Sequence, residues 1–218
     1  MANVKRWARL CLGALSLAVA CVAEREALSD RLIVPGERVG PVTAEVAESE
    51  LVEQLGEAAV ERREVQIGEG FCVPGTVLFP GTADAVEITW TDTTRTRPAS
   101  AEVSIVGSGW STAEGVRIGT TLEELAGLAG TPVRFSGFGW DYGGSAEWPQ
   151  GAAGSGGAML VLAPDAGSNE RVRNDDRYTE IVGEQIITSD HPLIREMTIR
   201  VDRIAVRWGE AGPQRECR

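Results

Sequence analysis

The sequence predicts an α+β fold, mainly an antiparallel β-sheet with two short helices. Apolar and polar residues alternate in several segments, as in strands with one buried and one wet face. Helix start and stop signals frame two short stretches, each too short to be stable without tertiary packing. A helix followed by strand-like residues occurs twice, which suggests two tandem helix-plus-hairpin units.

The second helix has the clearest boundaries. Thr121 and Glu124 form a capping box, although the equivalent pair one residue earlier would serve equally. Gly130 can end the helix in a left-handed conformation, and Pro132 prevents it from resuming. Leucines at spacing three fall on one side of this short helix, at Leu122, Leu125 and Leu128.

The first helix is predicted over residues 48–55, ending at Gly56, with Leu51 in the place that Leu125 takes in the second. An acidic run surrounds it. Its members are Glu45, Glu48, Glu50, Glu53, Glu57 and Glu61. We interpret the run as a solvated helix face, and a patch for a basic partner is the alternative.

Strands are expected over residues 60–67, 71–79, 86–90, 103–106, 159–163, 178–188 and 198–208, and a strand followed by a turn is expected over residues 133–142. Residues 92–100 and 164–176 are expected to be polar loops. In the last strand, the apolar residues change phase around Asp202, which indicates a β-bulge. His191 lies in a turn before Pro192, where a turn or capping role is expected.

The N-terminus has the pattern of a secretory signal, with three cationic residues followed by the apolar run 10–20. Residues 17–21, LAVAC, resemble a bacterial lipobox, with Ala18 where leucine is usual. Cys21 is therefore the expected lipidation site. The resemblance further implies an outer-membrane anchor, because Val22 after the cysteine does not look like an inner-membrane retention signal. The alternative is cleavage that releases a soluble periplasmic protein. We assign residues 1–20 to the signal, 21–37 to a tether and 38–218 to one domain, divisible into 38–106 and 107–218.

Two cysteines remain, Cys72 and Cys217, and an even pair in an oxidising compartment is expected to form a disulfide. Two unpaired thiols are the alternative. Two cysteines are too few ligands for a metal site, and we expect neither a metal nor a cofactor. The net charge of −11 argues against nucleic acid and against direct adsorption to anionic lipid.

The densest aromatic cluster lies in residues 135–142, where glycines separate Phe135, Phe138, Trp140 and Tyr142. In one interpretation it is a kinked hairpin whose rings fill the core. In the other, the rings and Asp141 are exposed in a groove suited to a sugar or a peptide. A phosphate loop does not fit, because Tyr142 takes a glycine position and no lysine comes after it.

About half of the mature chain resembles a family of uncharacterised bacterial envelope lipoproteins. The residues that carry the resemblance are Trp110, the run 115–119 (GVRIG), Leu125, Gly130, the run 136–144 (SGFGWDYGG), Val182-Gly183 and Ser189-Asp190. The resemblance implies secretion and an α+β domain, and it implies no activity. The chain departs from the family after Trp148, where the Gly-rich segment 151–157 replaces a tight turn.

Two functional hypotheses compete. The first is a non-catalytic binding or assembly module on the periplasmic side of an envelope, with an envelope protein or glycan as partner. Its contact residues would be Trp140, Asp141, Tyr142 and Trp148. The second is a glycan hydrolase with Asp141 and Glu147 as acid and base. A purely structural envelope component is a third possibility. The sequence favours a non-enzyme, because it contains no serine nucleophile elbow and no metal-ligand cluster.

Overall fold

The computed structural model describes residues 30–148 and 157–217, and residues from Arg31 onward form one compact unit. The predicted signal peptide, Cys21 and most of the Gly-rich segment 151–157 lie outside the described residues. Within the described part, no helix is long and apolar enough to cross a membrane.

The structure contains fourteen strands in the described part of the chain. In chain order they are β1 (Leu32–Val34), β2 (Arg38–Val39), β3 (Val42–Thr43), β4 (Val60–Gly68), β5 (Phe71–Leu78), β6 (Val86–Trp90), β7 (Pro98–Val103), β8 (Ser111–Thr112), β9 (Arg134–Ser136), β10 (Ser145–Trp148), β11 (Ala158–Pro164), β12 (Ile186–Thr188), β13 (Ile199–Arg207) and β14 (Arg215–Glu216). The α-helices are α1 (Glu48–Leu55), α2 (Leu122–Ala129), α3 (Ala166–Val172) and α4 (Pro192–Arg195), and 3₁₀ turns span Glu57–Ala59 and Asp176–Ile181.

An eight-stranded antiparallel sheet organises the fold. Its strands run in the order β10-β11-β13-β7-β6-β5, with β4 on the far side of β5 and β14 beside the start of β5. Two smaller sheets accompany it, β3-β2-β1-β8 and β12-β9, and β1 pairs with β8 in parallel. The predicted α+β class with mainly antiparallel pairing is confirmed.

The core is one continuous cluster of buried side chains. It joins the inner face of the main sheet to α1, α2 and both small sheets. Leu51 of α1 and Leu125 of α2 are both completely buried in it. The strands after the two helices pair differently, since α1 leads to the β4–β5 hairpin of the main sheet, whereas β9 after α2 pairs with the distant β12. The two predicted tandem units are therefore not equivalent in strand pairing.

Several local predictions are confirmed. Thr121 and Glu124 form the capping box of α2, and Gly130 ends that helix with φ 66°. In β13, Asp202 is the extra residue, because Val161 pairs with Arg203 and Leu162 with Val201. His191 is the N-cap of α4, where its Nδ1 accepts a hydrogen bond from the backbone N–H of Leu193 at 3.2 Å.

Other predicted boundaries are wrong. Residues 31–37, assigned to the tether, include β1, whose Ile33 is completely buried. The predicted loop 92–100 ends in β7, and the strand predicted at 103–106 ends at Val103. The predicted loop 164–176 contains α3, and the first part of the predicted strand 178–188 belongs to a 3₁₀ turn.

Cys72 and Cys217 form the disulfide that the cysteine count predicted, with their Cα atoms 5.0 Å apart. The backbone N–H of Cys217 also donates to the carbonyl of Gly70 at 2.9 Å. The bond thus fixes β14 and the C-terminal residues beside the β4–β5 hairpin, which is 145 residues earlier in the chain.

Candidate binding surface

Residues 137–144 form a turn whose backbone is held on several sides. The N–H of Gly137 donates to the carbonyl of Gln185 at 2.8 Å, and Phe138 exchanges backbone hydrogen bonds with Ile181 and Gly183. At the other end of the turn, the carbonyl of Gly144 accepts from the N–H of Leu162 at 2.9 Å. These bonds attach the turn to residues 181–185, which precede β12, and to β11 of the main sheet.

Two glycines of the turn are required by close backbone contacts. A Cβ at Gly137 would lie 2.6 Å from the carbonyl oxygen of Gly183, and a Cβ at Gly144 would lie 2.0 Å from that of Leu162. Gly144 also has φ 76°, which residues other than glycine rarely adopt. The glycine spacing of the motif therefore reflects a rigid backbone.

The aromatic residues of the turn divide between core and surface. Phe135 and Phe138 are buried, with ring centroids 5.5 Å apart. Trp140 is half-buried, and its indole Nε1–H donates to the carbonyl of Gly137 at 2.9 Å. Tyr142 is 60% exposed and meets Trp140 edge-on at 5.3 Å. The interpretation that the rings fill the core therefore holds for Phe135 and Phe138. The interpretation that the rings are exposed holds for Tyr142.

Asp141 lies between these two rings in the chain and is exposed. Together, Trp140, Asp141 and Tyr142 form what we call the aromatic turn surface. It offers an aromatic edge and face, a phenolic hydroxyl and a carboxylate on a backbone that is already ordered. This combination suits non-covalent contact with a partner.

Trp148, the fourth predicted contact residue, does not belong to this surface. It lies on the inner face of β10, where its side chain is 3% exposed and packs in the core with Ala146. Successive residues of a strand point to opposite faces, so Glu147 between them faces outward. The prediction that Trp148 is accessible to a partner is therefore wrong.

The proposed acid–base pair gains no support from its surroundings. Asp141 is exposed in the turn, and Glu147 is exposed on β10. A carboxylic acid that works as a general acid near neutral pH is usually enclosed by apolar groups that favour its protonated form. Within the described residues, no group of three or more histidine, cysteine, aspartate or glutamate side chains is arranged to hold a metal ion.

One member of the acidic run is a buried carboxylate, which no local sequence pattern indicated. Glu48 lies at the start of α1 with a buried side chain, and it accepts hydrogen bonds from Thr76 Oγ1 and Arg62 Nε. Trp90 Nε1 donates to Thr76 Oγ1 at 2.9 Å and extends the network. The solvated-face interpretation therefore fails for Glu48.

Two clefts that share Thr131 and Pro132, just after α2, were also missed, because their walls come from segments far apart in the chain. One, of about 670 Å³, lies between α2 and residues 189–199. The other, of about 490 Å³, lies between β9, β10 and β12. The residues that line each cleft do not all come from one continuous stretch of the sequence.

Comparison with protein families, with curated proteins and with solved structures finds no match to this chain.

Proposed function

We propose that this chain is a lipid-anchored, non-catalytic binding or assembly module of a bacterial cell envelope, held on the periplasmic side through Cys21. The aromatic turn surface is its contact site for an envelope protein or a glycan. The observation that carries the proposal is the exposed ring of Tyr142, fixed edge-on against Trp140 on a turn whose backbone is already ordered.

Pre-organisation is what makes this surface suitable for binding. Association costs free energy for every side chain and loop that must become ordered. Here the Trp140 indole is tied to Gly137, and the turn is bonded to residues 181–185 and to β11, so little ordering is left to occur. Tyrosine and tryptophan are also among the residue types that contribute most binding energy at protein interfaces.

Secretion is supported by the leader pattern and by the cysteine chemistry. The signal-like residues 1–20 precede a cysteine in a lipobox-like context. The disulfide between Cys72 and Cys217 is of the kind that persists in oxidising compartments such as the bacterial periplasm. The outer-membrane location rests on Val22 after the lipidated cysteine and is part of the proposal.

Partner capture tests the contact site. Tagged wild-type protein and the Tyr142→Ala variant are used to capture partners from solubilised envelopes of the producing bacterium. We expect a discrete partner whose yield falls at least tenfold with Tyr142→Ala. The matched control is Val106→Ala, because Val106 is 79% exposed in a loop after β7. Equal yields from all three proteins would contradict the proposed site.

Fractionation tests the anchor separately. Cys21→Ser is expected to move the protein from the membrane fraction to the soluble periplasmic fraction without changing its thermal unfolding. If the variant and the wild type fractionate identically, the lipid anchor is wrong.

A further inference from the structure

We propose that the turn after β7 inserts an apolar tip into the lipid bilayer that holds the chain, and so fixes how the domain faces the membrane. The apolar tip consists of Ile105 and Val106. This inference rests on the proposed function, because it needs the lipid at Cys21, and it adds a second membrane contact to that anchor. The occupant is lipid, so the apolar tip plays no part in capturing proteins from solubilised envelopes.

The apolar tip is presented by a tight turn. Val106 is 79% exposed, more than any other large hydrophobic side chain in the described residues, and Ile105 beside it is 39% exposed. The backbone N–H of Ser108 donates to the carbonyl of Ile105 at 3.2 Å, and Gly107 has φ 87°, which suits glycine at the third position of a type II turn. Backbone geometry therefore holds Val106 outside the core.

The same turn is bonded to the residue where the described domain begins. The backbone N–H of Gly109 donates to Asp84 Oδ1 at 2.7 Å, and Asp84 Oδ2 accepts a hydrogen bond from Arg31 Nε at 3.0 Å. The Arg31 guanidinium also lies over the Trp110 ring, 5.1 Å from its centroid. Because Gly109 is three residues after Val106, their Cα atoms are at most about 11 Å apart. The apolar tip is thus close to the start of the domain.

The distance along the chain from Arg31 to the proposed lipid is short. Ten residues after Cys21 the chain reaches Arg31, so their Cα atoms are at most about 36 Å apart even in a fully extended chain. A compact domain of the length 31–218 has a radius of gyration of about 16 Å, which corresponds to a diameter of about 40 Å. The linking chain is therefore shorter than the domain is wide. The end of the domain that carries Arg31 stays toward the bilayer.

Charge and tethering make lipid the suitable occupant. Residues 104–109 contain no charged side chain, and neither does the neighbouring loop 79–83. Arg31 and Asp84, which join the two loops, form an ion pair with no net charge. Because the whole chain is acidic, the contact is with acyl chains and zwitterionic headgroups. An anchored domain meets the bilayer at high effective concentration, so two apolar side chains suffice to orient it.

Spin labelling of the acylated protein tests the insertion. The protein is purified from envelopes, its acyl chains are verified by mass, and it is reconstituted into vesicles of equimolar phosphatidylethanolamine and phosphatidylcholine. A nitroxide is attached to Val106→Cys, and the same label on soluble Cys21→Ser protein is the reference. We expect collisions with a water-soluble nickel chelate to fall at least about fivefold and collisions with oxygen to rise, since an interfacial apolar group lies about 5–10 Å inside the headgroup boundary.

Ile67→Cys is the matched control at the other end of β4. Val60 pairs with Leu78, which leads into loop 79–83, and Ile67 is about 23 Å farther along the strand. Ile67 is 38% exposed, and a label there should keep its collision rates. A label at position 106 that stays as accessible to the chelate as one at position 67 would overturn the proposal. A fall in both collision rates at position 106 would also overturn it, because that result indicates burial against protein.

A charged substitution tests whether the apolar tip causes the insertion. With the nitroxide at Ile105→Cys, Val106→Asp should restore the chelate collisions of the soluble protein, whereas Ile67→Asp should leave them low. Thermal unfolding shows whether each variant is folded, and insertion by folded Val106→Asp protein would overturn the proposal. Wild-type protein without acyl chains would refute the proposed anchor and the insertion together. Acylated protein with a water-exposed tip would refute the insertion alone.

Discussion

Arg62 donates a hydrogen bond from its Nε to the Glu48 carboxylate at 2.6 Å, which ties the start of α1 to the edge strand β4. The two side chains differ in exposure, since Glu48 is 3% exposed and Arg62 is 70% exposed. The buried carboxylate also contacts Arg95 Nε at 3.4 Å, and the backbone N–H of Glu48 donates to the Arg95 carbonyl at 3.0 Å. One glutamate thus joins a helix, the main sheet and the loop after β6.

Glu48→Ala is expected to lower the free energy of unfolding by about 2–3 kcal/mol, because it removes the hydrogen-bond acceptor of Thr76 Oγ1 and Arg62 Nε and the ion-pair partner of Arg95. Glu53→Ala, an exposed position on the same helix, should change it by less than about 0.5 kcal/mol. Urea unfolding at neutral pH measures both. Equal stability of the two variants would mean that the network contributes little.

Glu102 of β7 lies directly opposite Glu87 of β6. Burial raises the pKa of Glu102, Glu87 raises it further, and Arg203 at 3.8 Å opposes the shift. A carboxyl group whose pKa is raised in the folded state stabilises the fold at pH values below its ordinary pKa of 4.5. That contribution is lost as the pH rises through the pKa of the folded state. Glu102→Gln should therefore increase the free energy of unfolding at neutral pH by about 0.5–1 kcal/mol.

The advantage of Glu102→Gln should disappear when the pH falls below 4.5, since the wild-type carboxyl group is then protonated. Urea titrations at neutral and acidic pH measure this difference. Glu114→Gln, in an exposed turn, is the matched control for the loss of one glutamate. A Glu102→Gln protein that is less stable than the wild type at neutral pH would show that the pairing with Arg203 dominates.

Two glycine substitutions should change the free energy of unfolding in opposite directions. Gly144→Ala places a Cβ 2.0 Å from the Leu162 carbonyl at a positive φ, and we expect a loss of at least about 2 kcal/mol. Gly127→Ala, in the interior of α2, should raise the free energy of unfolding by about 0.5–1 kcal/mol, because beyond the adjoining residues and the backbone of its own helix the new Cβ would meet no heavy atom within 4 Å. Thermal unfolding of both variants measures the difference. A neutral Gly144→Ala would show that the turn is less rigid than its hydrogen bonds indicate.

The disulfide is expected to contribute about 2–4 kcal/mol, because it closes a loop of 145 residues in the unfolded chain. The measurement is urea unfolding with and without reductant, with Cys72→Ser/Cys217→Ser as the permanently reduced form. Reductant should lower the midpoint of the wild type and leave that of the double variant unchanged. Identical wild-type midpoints in both conditions would contradict the prediction.

Features decided by neighbouring residues could be predicted from the sequence. The capping box of Thr121 and Glu124 needs only residues three apart, and the bulge at Asp202 shows as a phase change within one strand. By contrast, α3 has the polar sequence AGSNERV without an apolar stripe, and its Val172 becomes buried only through tertiary packing. No local pattern distinguishes such a helix from a loop.

The candidate site was predicted only in part for a similar reason. Tyr142 and Trp148 lie in the same aromatic-rich region, and their opposite exposures result from the turn geometry and from the pairing of β10 with β11. The burial of Glu48 depends on Thr76, which is 28 residues away. Such positions are set by strand register and long-range contacts, which a single sequence does not show.

The central claim is that Tyr142 is a solvent-facing contact residue on an ordered turn. It is tested most directly by replacing Tyr142 with a photo-reactive residue and illuminating intact envelopes of the producing bacterium. We predict one discrete adduct, absent with the probe at position 106, and thermal unfolding like that of the wild type. The absence of any adduct from position 142, together with a destabilised fold, would show that Tyr142 has a structural role and would contradict this claim.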